Sequence, residues 1–333
     1  MKYRTIPIFI PEMACPCRCV YCNQFVISGQ QQMPSDAEIL STIESHLATI
    51  WGNGVDSGEQ RVEIGFFGGT FTGLPKEEQL RLLKLVSPYL ETGKIKGIRC
   101  STRPDRIEEP WLRELKKYGM QTIELGVQSM NDEVLKASGR GYSPATVEAA
   151  ASAIRNAGMK LGMQMMIGLP GDTPQRSLET AQRIVALGAD NTRIYPTLVI
   201  EHTLLAERWR RGTYKALSIE EAVAWTKPVL KLMEESGLEV LRVGLHPTEG
   251  FINGTDYLAG PFHVAFKLQV QSGIWGDQFE TLPGGERVTI RVAPQMLNAA
   301  AGYQGINRRK LEQRYRNVQF RPDEKLKLYE YEI

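Results

Sequence analysis

Ile6-Pro7-Ile8-Phe9-Ile10 and, five residues on, Cys15-Pro16-Cys17-Arg18-Cys19-Val20-Tyr21-Cys22 decide how this chain is read. The first run is an apolar strand over about 5–10. The second is a loop with the spacing C-x3-C-x2-C. Three thiolates that close together can hold three corners of a four-iron cluster. Such clusters normally take four cysteines, so one iron is left open for chemistry. Close cysteines also build zinc knots. No fourth Cys or His follows at zinc-finger spacing, and the nearest histidine, His46, lies on a predicted helix. Cys17 is separated by one residue from Cys15 and from Cys19. As a fourth ligand it would strain the loop, so it reads as a spacer.

Outward from this loop, apolar runs alternate with helical patterns. Strands are predicted at about 5–10, 62–67, 97–101, 121–126, 161–167 and 191–196. Ser35 with Glu38 forms a capping box ahead of Ile39, Ile43, Leu47 and Ile50, and Ser218 with Glu221 forms another. Ser143-Pro144 and Thr173-Pro174 place a cap residue before a first-turn proline, and Gly158 and Gly188 sit where those helices should stop. Pro228 is expected to kink its helix. Strand–helix alternation implies a parallel sheet with right-handed crossovers. Six units make a partial (β/α)6 TIM-like barrel, whose ligand chemistry gathers at the C-terminal strand ends. Past about residue 250 the alternation fades. The expected division is a core barrel over 1–250 and a smaller extension over 251–333 that covers the barrel mouth.

Composition narrows the class. The chain has 333 residues, 42% of them hydrophobic, and a net charge of +2, so no overall field recruits nucleic acid or membrane. No apolar run reaches membrane-spanning length, and the start is too short for a secretory signal. Four of five cysteines are clustered, which is no disulfide framework. A reducing cytoplasm and oxygen-sensitive chemistry are expected; nothing in the sequence sets an oligomeric state.

The strand ends carry polar residues where buried strands should be apolar. They read Phe66-Phe67-Gly68-Gly69-Thr70-Phe71, Cys100-Ser101-Thr102-Arg103-Pro104-Asp105, Glu124-Leu125-Gly126-Val127-Gln128-Ser129, Gln164-Met165-Met166-Ile167-Gly168-Leu169-Pro170-Gly171 and Arg193-Ile194-Tyr195-Pro196. Adjacent glycines let backbone approach a ligand closely, or make a tight turn. Glu124, Gln128 and Gln164 need partners inside a barrel. A polar cofactor would supply them, or they satisfy one another.

The cysteine spacing resembles the radical S-adenosylmethionine (SAM) superfamily. The runs STRPD, ELGVQS, GLPG and IYPTLVI resemble the radical SAM domain of the Elongator catalytic-subunit family and, more distantly, oxygen-independent coproporphyrinogen oxidases. The resemblance covers roughly 5–250. It implies a [4Fe-4S] cluster on Cys15, Cys19 and Cys22 whose open iron chelates SAM. One electron then splits SAM to a 5′-deoxyadenosyl radical that abstracts hydrogen from a substrate. By the same resemblance Tyr21 flanks the adenine. Gly68, Gly69 and Thr70, in a Gly-Gly-Glu-like segment, meet the methionyl amino group. Gln128, Arg140 and Gln164 stand at SAM contacts. Ser101 occupies a place where the oxidases have glutamate, and Gln164 one where they have aspartate.

The resemblance also implies an electron donor such as flavodoxin or ferredoxin. It favours tRNA as substrate, ahead of a small molecule or tetrapyrrole. The Elongator cluster motif has a longer gap between its first two cysteines. About 80 residues after the barrel cannot hold an acetyltransferase domain, so acetyl-CoA-dependent uridine modification by this chain alone is not expected. A zinc-stabilised adaptor and a simple electron carrier are the rival classes. Cys100 reads as an inert buried thiol. His246 and His263 are candidates for acid/base steps or ordinary packing. Residues 308–321 hold six basic residues against Glu312, with Tyr303, Tyr315 and Phe320 in or beside them. They read as an RNA contact, or as a solvated segment whose charges pair with Asp323, Glu324, Glu330 and Glu332.

Overall fold

The computed structural model describes residues 2–11, 15–16, 18–29, 32–52 and 60–333. Cys17 lies outside them. Six strands follow the predicted order: β1 (Lys2–Ile10), β2 (Gln60–Gly68), β3 (Gly97–Thr102), β4 (Met120–Gln128), β5 (Lys160–Ile167) and β6 (Asn191–Pro196). A short β7 (Val199–Ile200) precedes β8 (Glu239–Val243), and β9 (Tyr257–Ala259) pairs antiparallel with β7. The main sheet has seven strands in the order β1-β2-β3-β4-β5-β6-β8, all neighbours parallel. It is an open barrel of the expected class with one strand more than the six units. Polar residues interrupt β8, so its apolar signal is weak.

The helices form where the cap chemistry lies. Ser35 N donates to Glu38 Oε2 at 2.8 Å, and Glu38 N donates to Ser35 Oγ at 3.3 Å, opening helix Asp36–Gly52. That helix buries Ile39, Ile43, Leu47 and Ile50. Ser218 and Glu221 make the same box ahead of helix Ile219–Glu235, which continues through Pro228 as one element. Thr173 caps helix Pro174–Ala186, whereas Ser143 makes no side-chain cap bond. Gly158 and Gly188 stop their helices at φ 65° and 68°, left-handed values that suit glycine.

Alternation along each strand divides the sheet into two faces. On β4, Ile123, Leu125 and Val127 are fully buried on the helix side, while Glu124, Gly126 and Gln128 face the lumen. The rest of the chain adds β10 (Gly285–Val292), β11 (Tyr315–Pro322) and β12 (Tyr331–Glu332), in the order β11-β10-β12. Trp275 and Phe279 of helix Phe266–Phe279 pack against Tyr331 at ring distances of 6.2 and 5.6 Å. This aromatic layer is continuous with the barrel core.

Inside the barrel sits a buried ionic cluster. Glu124 accepts from Arg193 Nε at 2.8 Å and from Gln164 Nε2 at 2.8 Å, and Arg99 Nε lies 2.9 Å from its other oxygen. Arg99 also donates to Asn191 Oδ1 at 3.3 Å and lies 3.8 Å from Glu63. Burial of charge demands such partners. Glu124 and Gln164 thus satisfy each other, and Gln164 passes the cluster's order upward to Ser101 Oγ at 3.0 Å.

Candidate functional site

β1 ends at Ile10, and the cysteine loop springs from its C-terminal edge. Backbone bonds pin the loop: Val20 N donates to Ser138 O at 3.1 Å, and Leu205 N to Val20 O at 2.7 Å. Cys22 N closes a turn onto Cys19 O at 3.1 Å. Val20 and Tyr21 pack with Val134, Leu169 and Leu205 in a small apolar cluster. The loop is therefore anchored by its backbone and by the packing of Cys19, Val20 and Tyr21.

Cys15, Cys19 and Cys22 line one cavity of about 460 Å³ at the strand ends. Tyr21, Gly68, Gly69, Thr70, Ser101, Gln128, Arg140 and Gln164 line the same cavity. These eleven residues come together from six segments: the cysteine loop, the ends of β2, β3 and β4, the turn after helix Asp132–Ala137, and β5. Among the described residues, no three Cys, His, Asp or Glu side chains converge as one metal ion would require. A four-iron cube holds its ligands further apart than a single tetrahedral ion does.

Arg140 is buried. It donates to Cys19 Sγ at 3.0 Å, Tyr21 Oη at 3.2 Å, Gly126 O at 2.6 Å and Tyr142 Oη at 2.7 Å. Arg103 reaches Cys19 Sγ at 3.9 Å while chelating Asp105 through two bonds of 2.9 Å, and it also donates to Arg140 O. Two guanidiniums therefore flank one sulfur. Cys15 Sγ lies 3.2 Å from Thr70 Oγ1. Burial pushes the Cys15 thiol up, against the Thr70 hydrogen bond and the Arg103 charge. Burial likewise holds the Tyr21 phenol protonated, although Arg140 opposes it.

Gln128 closes β4 at φ 65°, in the left-handed region, where the β4–β5 register shifts. Its backbone conformation is costly for a side chain of this size. Its buried Oε1 has no hydrogen-bond partner among the described residues. A buried acceptor without a donor costs about 1–3 kcal/mol, so the site is complete only when a donor enters. Gly68 sits at φ 97°, and a Cβ there would lie 2.4 Å from Ile10 O. Gly69 N donates to Ile10 O at 2.9 Å, which holds the glycine pair against the cysteine strand.

These features fit an iron–sulfur cluster with SAM. The donor set is three thiols, with cationic donors placed to offset an anionic centre. The open cradle is glycine backbone, and the waiting acceptor is an amide oxygen. Gly68→Ala tests the cradle. The left-handed conformation alone costs about 1–2 kcal/mol for an L side chain, and the facing atom is backbone that cannot yield. We expect a lower melting temperature and at least about a tenfold loss of SAM affinity in equilibrium dialysis.

Several groups stand apart. Cys100 is fully buried on the helix face, and burial pushes its thiol far up, with Glu124 adding to the shift. Its burial is as expected. His246 is exposed, and burial of part of its ring together with Arg242 lowers its pKa. His263 Nδ1 accepts from Ala265 N at 2.9 Å, and its Nε2 lies 3.3 Å from Tyr303 Oη. The basic segment is tied to its own surroundings. Arg308 donates to Val318 O at 3.2 Å and stacks on Phe320, and Arg314 donates to Phe279 O at 3.1 Å. The acids Asp323 and Glu332 are engaged by Arg291 instead.

Sequence reasoning passed over Arg103, Gly126 and Tyr142. Arg103 lies within STRPD, and a lone arginine between a buried strand and a proline was the available signal. Tyr142 donates to Gly126 O at 2.5 Å. Nothing in its sequence context distinguishes it from a core aromatic.

The profile of the Radical SAM superfamily matches residues 11–184, and that of the Radical_SAM C-terminal domain matches 189–274. A tRNA uridine(34) acetyltransferase from Dehalococcoides mccartyi is 26% identical over 63% of this chain and 52% of its own length. Elongator complex protein 3 from Saccharomyces cerevisiae is 31% identical over 52% of this chain and 35% of its own. The chain therefore spans about half, or less, of these relatives. The structure of archaeal Methanocaldococcus infernus Elp3 with an N-terminal deletion superposes at a TM-score of 0.65 with 22% identity. It covers 83% of this chain and 63% of that one. Among the described residues, no helix is long and apolar enough to cross a membrane.

Proposed function

The chain belongs to the radical SAM superfamily, and on that premise we propose that it is an enzyme that cleaves SAM reductively and abstracts hydrogen from a tRNA nucleoside. The superfamily's enzymes use a [4Fe-4S] cluster and SAM, which when bound supply one electron and a 5′-deoxyadenosyl radical. The protein's share is holding and orienting. Cys15, Cys19 and Cys22 would be the cluster ligands, and Arg140 and Arg103 would temper the charge at the Cys19 sulfur. Gly68 and Gly69 give backbone room for the methionyl end. Gln128 offers its unpaired oxygen to a donor on the cofactor. Gln164, fixed by Glu124, presents its amide beside Ser101. Tyr21 is locked by Arg140 and forms one wall.

The observation that carries this reading is the single cavity shared by the three cysteines, the glycine pair and the unpartnered Gln128 oxygen. The tRNA part is supported by the names of the curated relatives and by the exposed basic residues of 308–321. Anaerobically reconstituted protein with dithionite should release 5′-deoxyadenosine and methionine, faster with tRNA present. Binding to bulk tRNA should fall steeply with salt, as phosphate contacts require. S-adenosylhomocysteine without deoxyadenosine would mean ordinary methyl transfer instead. If tRNA fails to bind at low salt, the substrate is a small molecule.

A further inference from the structure

The sheet whose β5 residue Gln164 lines the cysteine cavity runs on to β6 and β8. Gln164 and Met166 on β5, Arg193 and Tyr195 on β6, and Arg242 on β8 are reached by solvent, while Met165, Ile194 and Val243 between them are buried. Successive side chains point to opposite faces, which puts Gln164, Met166, Arg193 and Tyr195 on the concave wall; on β8, where burial does not alternate, the pairing of Arg242 with Arg193 puts it on the same wall. β8 is the edge strand furthest from β1 and its cysteine loop.

Arg193 and Arg242 are register partners on neighbouring strands. Like charges side by side on one face repel. Arg193 is relieved: Glu124 accepts from it at 2.8 Å, and its guanidinium lies 5.3 Å from the Phe67 ring centre. The two buried acids are already spoken for, since Glu63 and Glu124 between them serve Arg61, Arg99 and Arg193. The Arg242 side chain makes no hydrogen bond or ion pair among the described residues. Its charge is nonetheless felt nearby. It lowers the pKa of His246 after partial burial has done so, and it works against the burial that raises that of Tyr195. A half-buried guanidinium held beside a second arginine, with no acid of its own, is a binding group waiting for an anion. Its planar fork matches an oxyanion in two bonds, which a surface lysine would not.

We propose that Arg242, with Tyr195 and Arg193 beside it, forms the oxyanion subsite for the substrate, receiving a phosphate or carboxylate on the lumen wall at the far edge from the cysteine loop. This rests on the reading that the substrate reacts in this lumen. A nucleic acid would place a backbone phosphate there; a small molecule would place its own acidic group.

The test is a calorimetric titration of the reconstituted, SAM-loaded protein with inorganic phosphate in low-chloride buffer. Saturable binding is expected, weakened by at least about tenfold in Arg242→Gln. Arg242→Lys keeps the charge but loses the fork and should weaken it by a smaller factor, which covers the case that the glutamine variant does not fold. Arg113→Gln, at an exposed helix arginine paired only with Glu109, should bind phosphate as the wild type does. No saturable phosphate binding, or unchanged affinity in both Arg242 variants, overturns the subsite. A competition arm separates this from the RNA reading. Phosphate binding through Arg242 that tRNA neither joins nor displaces keeps the subsite and removes tRNA as substrate. tRNA that binds without displacing phosphate places the substrate elsewhere and overturns the proposal.

Discussion

Replacing Cys15, Cys19 and Cys22 together by alanine should give a folded, colourless protein that binds no iron after anaerobic reconstitution and releases no 5′-deoxyadenosine. Wild type should bind about four irons per chain. The loss should be complete because no other cysteine lines the described part of the cavity, and the remaining described thiol, Cys100, is buried on the opposite face. Folding should survive because the loop is held by the bonds of Val20 to Ser138 and Leu205 and by the packing of Val20 and Tyr21. Cys19 also packs in that cluster, but Val20 and Tyr21 keep their contacts with Val134, Leu169 and Leu205 without it. Circular dichroism checks the fold, and iron analysis with product chromatography checks the chemistry. Cys100→Ala should keep the cluster, and so should Cys17→Ala. The ligand assignment is wrong if Cys17→Ala loses iron while Cys15→Ala retains it.

The cysteine spacing is legible in the chain alone because it is local: three ligands within eight residues need no knowledge of tertiary contacts. The strands are legible for a similar reason. Ile6–Ile10 and Leu161–Ile167 are apolar runs of strand length bounded by turn residues, and the caps at Ser35 and Ser218 lie where helices begin. What stays hidden depends on contacts across long separations. Arg140 is 121 residues from Cys19, and no periodicity links them. Gln128 stands out as a polar residue on a strand, but its left-handed backbone and orphaned oxygen arise from the register shift against β5. For Glu124 and Gln164 the residues alone leave two outcomes open, and the answer lies in Arg99 and Arg193, charged residues on strands not adjoining each other. The basic segment 308–321 shows the opposite failure. Its charge is evident in the sequence, yet Arg308 and Arg314 bond backbone carbonyls, which composition does not reveal.

Glu124→Gln should be the most destabilising single change inside the barrel. The carboxylate is 1% exposed and stands between Arg99 and Arg193. Removing one partner of a buried ion pair leaves the other charge uncompensated and costs about 3–5 kcal/mol. Denaturant titration at pH 7 should therefore show a lower midpoint with an unchanged slope. The pH dependence follows from the direction of the shift. Burial alone would raise the Glu124 pKa, but Arg193 and then Arg99 outweigh it and hold the carboxyl below its ordinary range. A depressed folded-state pKa stabilises fully above the unfolded value, about 4.3 for glutamate, and the gain is lost as pH falls through the folded value. The gap between wild type and Glu124→Gln should thus stay constant from about pH 8 to 5 and shrink below that. A gap that widens with acid would mean the carboxyl is not held ionised. A triple variant separates stability from positioning. Replacing Glu124, Arg99 and Arg193 together by apolar residues of similar size removes all three charges, and such swaps are often neutral or stabilising. If this protein regains stability but SAM affinity stays low, the cluster exists to aim Gln164 and Ser101 at the cofactor. If SAM affinity returns with stability, its role is confined to filling the lumen.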